Sequence, residues 1–192
     1  MMRGVALAGA LLALAVFGWR AARRSPPAVL FSAQPSGKLR TLNEILGSRN
    51  DNDPRLDSDF NSLSPEDKRR FRQDYAMIPR ESRNERGTIV YLLGKNMATA
   101  EDWTFLRDVA GEPPCLSLAN CAKPPNGEGD PGDDVTLAYP SLVALKRAQK
   151  ALEEGTATKE ARAVVEAARG SKMPAVLRLA GRIEKKFPSS AK

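Results

Sequence analysis

The sequence predicts an all-α protein: an N-terminal membrane helix followed by an irregular helical bundle or short α-solenoid of about seven to eight helices. Three observations lead there. An unbroken apolar run from Gly4 to Trp19 lies between Arg3 and a cluster of Arg20, Arg23 and Arg24. Beyond it, apolar residues recur at helical spacing between short polar loops, and the helix-start signals Ser64-Pro65-Glu66-Asp67 and Thr99-Ala100-Glu101-Asp102 punctuate the chain. The composition, 42% hydrophobic and 28% charged over 192 residues, is that of a folded domain rather than a disordered one.

The apolar run covers about 24 Å as a helix, short of a hydrocarbon core of about 30 Å. A charged start and an apolar stretch also fit a cleaved signal peptide. No small-residue cleavage site follows, however: Ala13 and Ala15 would truncate the run, and a cut after Ala22 would put Arg20 where a small side chain is needed. A retained anchor over residues 1–24 is therefore expected ahead of a cleaved signal. Arg3 and Arg20 can reach opposite interfaces, and Trp19 suits the headgroup level. Residues 25–37, bearing proline, serine and glycine without a helical stripe, read as a tether. Residues 38–192 form the expected α-helical domain, with a possible sub-boundary in the loop 111–138.

Two signals on sidedness oppose each other. The arginines after the run favour a cytoplasmic domain. The pair Cys115 and Cys121 favours export, because an even cysteine count in a proline-flanked loop suggests a disulfide, and disulfides persist in oxidising compartments. The periplasmic or extracellular side is the expectation.

Within the domain, Leu39, Leu42, Ile45 and Leu46 share one face of a first helix that Gly47 can close. Ser64 caps a second helix with Phe71, Tyr75 and Ile78 inward, ending before Pro79. Thr88 to Leu93 is apolar enough for a strand, but the breaker-free run from Ser82 makes it a buried helix. Thr99 caps the next, with Trp103, Leu106, Phe105 and Val109 toward the core, up to Gly111. A glycine- and aspartate-rich loop spans Asn126 to Asp134. Three helices follow: Ser141 to Glu154 on Leu142, Leu145 and Leu152; Thr158 to Arg169 on Ala161, Val164, Val165 and Ala168; Ser171 to Phe187 on Met173, Val176, Leu177, Ala180, Ile183 and Phe187.

Helix pairs joined by short turns resemble HEAT-like α-solenoid repeats. Ile89-Val90-Tyr91-Leu92-Leu93-Gly94-Lys95 stands where such a repeat has its first helix, and Ala100 to Val109 where it has the second, so the likeness is best over Arg86 to Val109. It implies a stacked-helix binding surface and no catalytic residues.

Charge singles out one further candidate. The net charge of +7 is concentrated at the C-terminus, where residues 139–192 hold 12 basic against 5 acidic side chains. Lys172, Arg178, Arg182, Lys185 and Lys186 stand opposite the last apolar stripe, a candidate basic face for anionic lipid, a negative polymer or an acidic protein. Nucleic acid is disfavoured, since Phe187 alone among these helices offers a ring for stacking.

Catalytic and metal classes lose their usual residues. The chain has 0 histidines, which removes an imidazole base and leaves two cysteines without the partners zinc requires. Asp57-Ser58-Asp59-Phe60-Asn61 begins like a calcium loop but places Ser62 and Lys68 where glycine and glutamate belong. The clusters Asn50–Pro54 and Asp130–Asp134 read as turns and helix caps. No cofactor, metal or catalytic residue is nominated. The functional expectation is a membrane-tethered helical binding or scaffold domain, not an enzyme, with a protein or anionic partner. Its alternatives are a cell-envelope enzyme using a carboxylate pair and a cytoplasmic-face adaptor gripping anionic lipid.

Overall fold

Helix starts in this chain are written in its hydroxyl and acidic residues. Ser64 Oγ accepts the Asp67 amide at 3.1 Å while the Asp67 carboxylate accepts the Ser64 amide at 3.1 Å, and Thr99 and Asp102 repeat the exchange. Each box satisfies donors that the first helical turn leaves free. The computed structural model describes residues 37–50, 52–125 and 132–188. The expected membrane segment, most of the tether and residues 126–131 of the acidic loop lie outside the described residues.

The described chain is all helix, with no strand. In order come α1 Gly37–Ser48, α2 Arg55–Ser58, α3 Pro65–Met77, α4 Arg83–Lys95, α5 Ala100–Ala110, α6 Asp134–Leu137, α7 Tyr139–Glu154, α8 Thr158–Arg169 and α9 Pro174–Lys186. The seven longer helices are those expected from the sequence. The two four-residue turns of helix, α2 and α6, follow the aspartate clusters; Asp133 caps α6 by accepting the Val135 and Thr136 amides at 2.7 and 2.9 Å. Among the described residues no helix is long and apolar enough to cross a membrane.

Two expectations need correction in detail. The last helix begins at Pro174 rather than Ser171, because the residue before a proline is pushed into extended backbone, as Met173 is at φ −87° and ψ 120°. Its inward face also differs. Leu177 is 43% exposed, whereas Leu179 at 4% faces the core, so the buried stripe runs Val176, Leu179, Ala180, Ile183.

Residues 34–192 group as one compact unit, and helices on both sides of the 111–138 loop share one hydrophobic core. At its centre is α7, which packs on α4, α5, α8 and α9. Small side chains make this possible: Ala144, Ala148 and Ala151 of α7 and Ala161 and Ala168 of α8 are fully buried. The α4–α7 contact is the most extensive. Gly87 faces the Tyr139 ring and Gly94 faces the Arg147 stem, so the two helices run parallel, in register over two turns of each. The turn from α7 into α8 requires a glycine, since Gly155 takes φ +67° and places the Thr156 amide 2.9 Å from Ala151 O.

Charge is buried as well. Lys68 Nζ and Arg72 Nη2 meet the Asp102 carboxylate at 2.8 and 2.7 Å, and the Ala98 and Thr99 amides add bonds at 2.9 and 3.0 Å. Burial acts to raise the Asp102 pKa, but Lys68, Arg72 and the two amides prevail and hold it well below its ordinary value.

Two tests follow from this packing. A Cβ at Gly87 would overlap the Tyr139 ring, so Gly87→Ala should destabilise the domain by about 1–3 kcal/mol despite a helix-propensity gain of up to about 1 kcal/mol. Urea unfolding of a double-mutant cycle should show Tyr139→Ala costing less in the Gly87→Ala background than in the native chain. Asp102→Asn should cost about 3–5 kcal/mol at neutral pH by leaving the buried Lys68 without its counter-ion and Arg72 with Glu101 alone. Because the folded pKa is depressed, the native advantage is complete above the ordinary value of 3.8 and is lost as pH falls below it toward the folded value. Denaturation midpoints of both proteins across the acid range check the sign.

Candidate functional site

The outer side of the α4–α7 contact is an open groove of about 670 Å³. Val90, Tyr91, Gly94 and Lys95 of α4 form one wall, Val135 of α6 closes one end, and α7 supplies the other wall from Tyr139 to Glu154. The groove exists because α7 has two faces. Ala144, Leu145, Ala148, Ala151 and Leu152 turn to the core, while Tyr139, Leu142, Val143, Lys146, Arg147 and Lys150 fall on the adjoining face. Leu142, expected in the core, is half-buried in this wall. Tyr91 and Val135, 41% and 55% exposed, are two of the large apolar side chains that the described surface leaves open.

The floor is apolar and the rim is cationic. Lys95, Lys146, Arg147 and Lys150 line the groove against one carboxylate, Glu154. That carboxylate is shared by Arg147 at 3.7 Å and Lys150 at 3.8 Å, distances too long for tight pairing. Lys95 leans toward α2, donating to Asp57 O at 3.0 Å, and Tyr91 Oη donates to Asp57 Oδ1 at 2.8 Å. The bond to Asp57 holds the Tyr91 pKa above its ordinary value, with burial adding to it. Asp57, read from sequence as part of a failed calcium loop, thus ties α2 to the groove's edge. Among the described residues no three metal-ligating side chains gather.

The basic face expected on α9 is present but partly committed. Lys172, Arg178, Arg182, Lys185 and Lys186 are all exposed. Lys186 Nζ pairs with Glu153 of α7 at 2.7 Å and lies 5.2 Å from the Phe187 ring, and Arg178 Nη2 reaches Asp134 of α6 at 3.4 Å. Those two cations pin α9 to its neighbours; Lys172, Arg182 and Lys185 face outward.

Cys115 and Cys121 are bonded to each other and are each 2% exposed. A ring this short contributes about 2 kcal/mol in the chain-entropy model. The loop they close is fastened from below. Arg80 Nη2 donates to Pro113 O at 2.7 Å, Glu81 Oε1 accepts the Cys121 amide at 2.7 Å, and Glu112 Oε1 takes bonds from Tyr75 Oη and Arg86 Nη2 at 2.7 Å each. Arg86 also stacks 3.8 Å from the Tyr75 ring centre. Arg83 is 2% exposed, and its Nε and Nη2 have no hydrogen-bond partner among the described residues. Burial lowers its pKa. This network secures the loop; Glu81 and Arg83 also line a hollow of about 360 Å³ with Leu118.

A second hollow, of about 390 Å³, lies where α1 meets the α3–α4 turn. Asp74 and Glu85 both line it beside Leu46, Ile78 and the 74% exposed Met77. Burial outweighs the nearby Arg70 and raises the Asp74 pKa above its ordinary value.

The α4–α7 groove was not nominated from sequence. Its signal was available: Leu142, Val143, Lys146, Arg147 and Lys150 recur at steps of three and four, a second stripe beside the core stripe of the same helix. No family model, no curated protein and no solved structure matches the chain.

Proposed function

We propose that this protein is a membrane-tethered helical binding domain, held at the bilayer by residues 4–19 and displayed on the periplasmic or extracellular side, that receives a protein partner in the α4–α7 groove. The observation that carries the reading is the groove itself, an apolar trough of about 670 Å³ with Lys95, Lys146, Arg147 and Lys150 on its rim. Concave apolar surface with a few placed charges is the usual form of a recognition site. The repeat resemblance belongs to the same reading, since α4, the first helix of the pair it covers, supplies one groove wall. The buried disulfide supports the exported side, because such bonds persist outside the reducing cytosol.

A photo-crosslinking residue placed at Val143 in the full-length chain tests this in native membranes of known sidedness. Adducts should form at Val143, fractionate with the membrane and be absent when the crosslinker sits at Leu177 on the α9 surface. Equal labelling at both positions, or none at Val143, removes the groove from the reading.

One observation favours a second reading, the cell-envelope enzyme with a carboxylate pair. Asp74 and Glu85 share the α1–α3–α4 hollow, and a raised Asp74 pKa suits a general acid. Under that reading Asp74→Asn and Glu85→Gln each lower hydrolysis of a cell-wall glycan by at least about a hundredfold, with stability unchanged. Absence of any hydrolysis by the native chain ends it.

A further inference from the structure

We infer that the occupant of the α4–α7 groove is an acidic amphipathic helix of a partner protein. This rests on the binding reading above and names the chemistry of its ligand. Two independent features select that occupant. The first is backbone chemistry. Both long walls are helices whose amides and carbonyls bond within themselves, and the described residues include no strand edge. An extended peptide laid here would leave its own backbone polar groups unmatched; a helix satisfies them internally. The α7 wall from Tyr139 to Glu154 runs about 22 Å, the length of a four-turn helix.

The second feature is charge. Val135, Leu142 and Val143, beside the exposed Tyr91 ring, offer an apolar strip to leucine-like side chains, and cations stand on both sides of it, Lys95 on α4, which also pairs with Asp57 at 3.5 Å, and Lys146, Arg147 and Lys150 on α7. Lys146 and Lys150 are one helical turn apart, about 6 Å, the spacing at which successive turns of an occupant helix present glutamates. With Glu154 the one carboxylate lining the groove, positive charge is in excess and an acidic occupant supplies the complement. A single lipid phosphate engages one such cation, not a row of them along a trough.

The test uses the full-length chain in a neutral detergent and a fluorescent peptide of about sixteen residues, with leucines on one helical face and glutamates beside them. Fluorescence anisotropy should show binding at least about tenfold tighter than for the same peptide with lysines in place of glutamates, weakening as salt rises. Lys146→Glu with Lys150→Glu should reverse the preference, so that the lysine peptide now binds tighter. That gain cannot arise from a misfolded variant. Val143→Asp should abolish binding of both peptides while thermal unfolding remains cooperative. Preference of the native chain for the lysine peptide, or no reversal in the double variant, overturns the inference. Displacement of the glutamate peptide by phosphatidylglycerol mixed micelles or by a single-stranded oligonucleotide at lower concentration than unlabelled peptide also overturns it, in favour of lipid or nucleic acid. The two readings fail separately: loss of all Val143 adducts in native membranes defeats groove binding, whereas adducts that persist in the double lysine variant defeat only the acidic occupant.

Discussion

The contact on which this structure depends is the parallel seam between α4 and α7. Gly87 and Gly94 lie two turns apart on one face of α4; the missing side chain of Gly87 lets the Tyr139 ring settle against backbone, while the Arg147 stem passes Gly94 at ordinary contact distance. Close approach of this kind is rigid, since packed interiors have no spare volume to absorb a shift. α7 in turn positions α5, α8 and α9, so an error at the seam would propagate through the core. The same seam bounds the groove: Gly94 lies in its lining beside the outward face of α7.

Buried electrostatics set the arrangement of the first half of the domain. Asp102 draws Lys68 and Arg72 of α3 onto the start of α5, and Glu112 draws Tyr75 of α3 and Arg86 of α4 onto the loop that carries the disulfide. Ion pairs removed from water gain little net stability over apolar packing, yet a lone member left behind is costly. Their effect is therefore selective, since any packing that separates the partners is penalised. The covalent ring at Cys115–Cys121 closes this loop on itself, and Glu81 of the α3–α4 turn holds it through the Cys121 amide.

Cations are used in two ways in the basic C-terminal part. Arg178 and Lys186 reach Asp134 and Glu153 and join α9 to α6 and α7, whereas Lys146 and Lys150 stand beside an apolar floor, Lys150 sharing Glu154 with Arg147 at 3.8 and 3.7 Å. A charge that has found its counter-ion within the fold has little left for a ligand; one facing an apolar trough keeps most of its field. The recognition surface we propose therefore lies on the first of the three C-terminal helices and not the last.

Much of the fold was legible in the sequence because helices are local. The capping boxes at Ser64 and Thr99, the prolines at helix starts and the three-and-four spacing of Leu42 and Ile45 or of Ala161 with Val164 and Val165 act within a few residues, so all seven longer helices and the cysteine bond could be read without neighbours. Faces were harder. Leu177 and Leu179 are nearly equivalent in a one-dimensional stripe, and only the packing of α9 on α7 and α8 decided that Leu179 goes inward. The groove was beyond reach for a stronger reason. Its two walls are separated by more than forty residues of chain, and the glycines that join them differ from any helix-weakening glycine only by what they face. Local physics determined which segments are helical and where they begin; long-range packing decided which helix is central, which cations are spent within the fold, and where an apolar surface is left open to a partner.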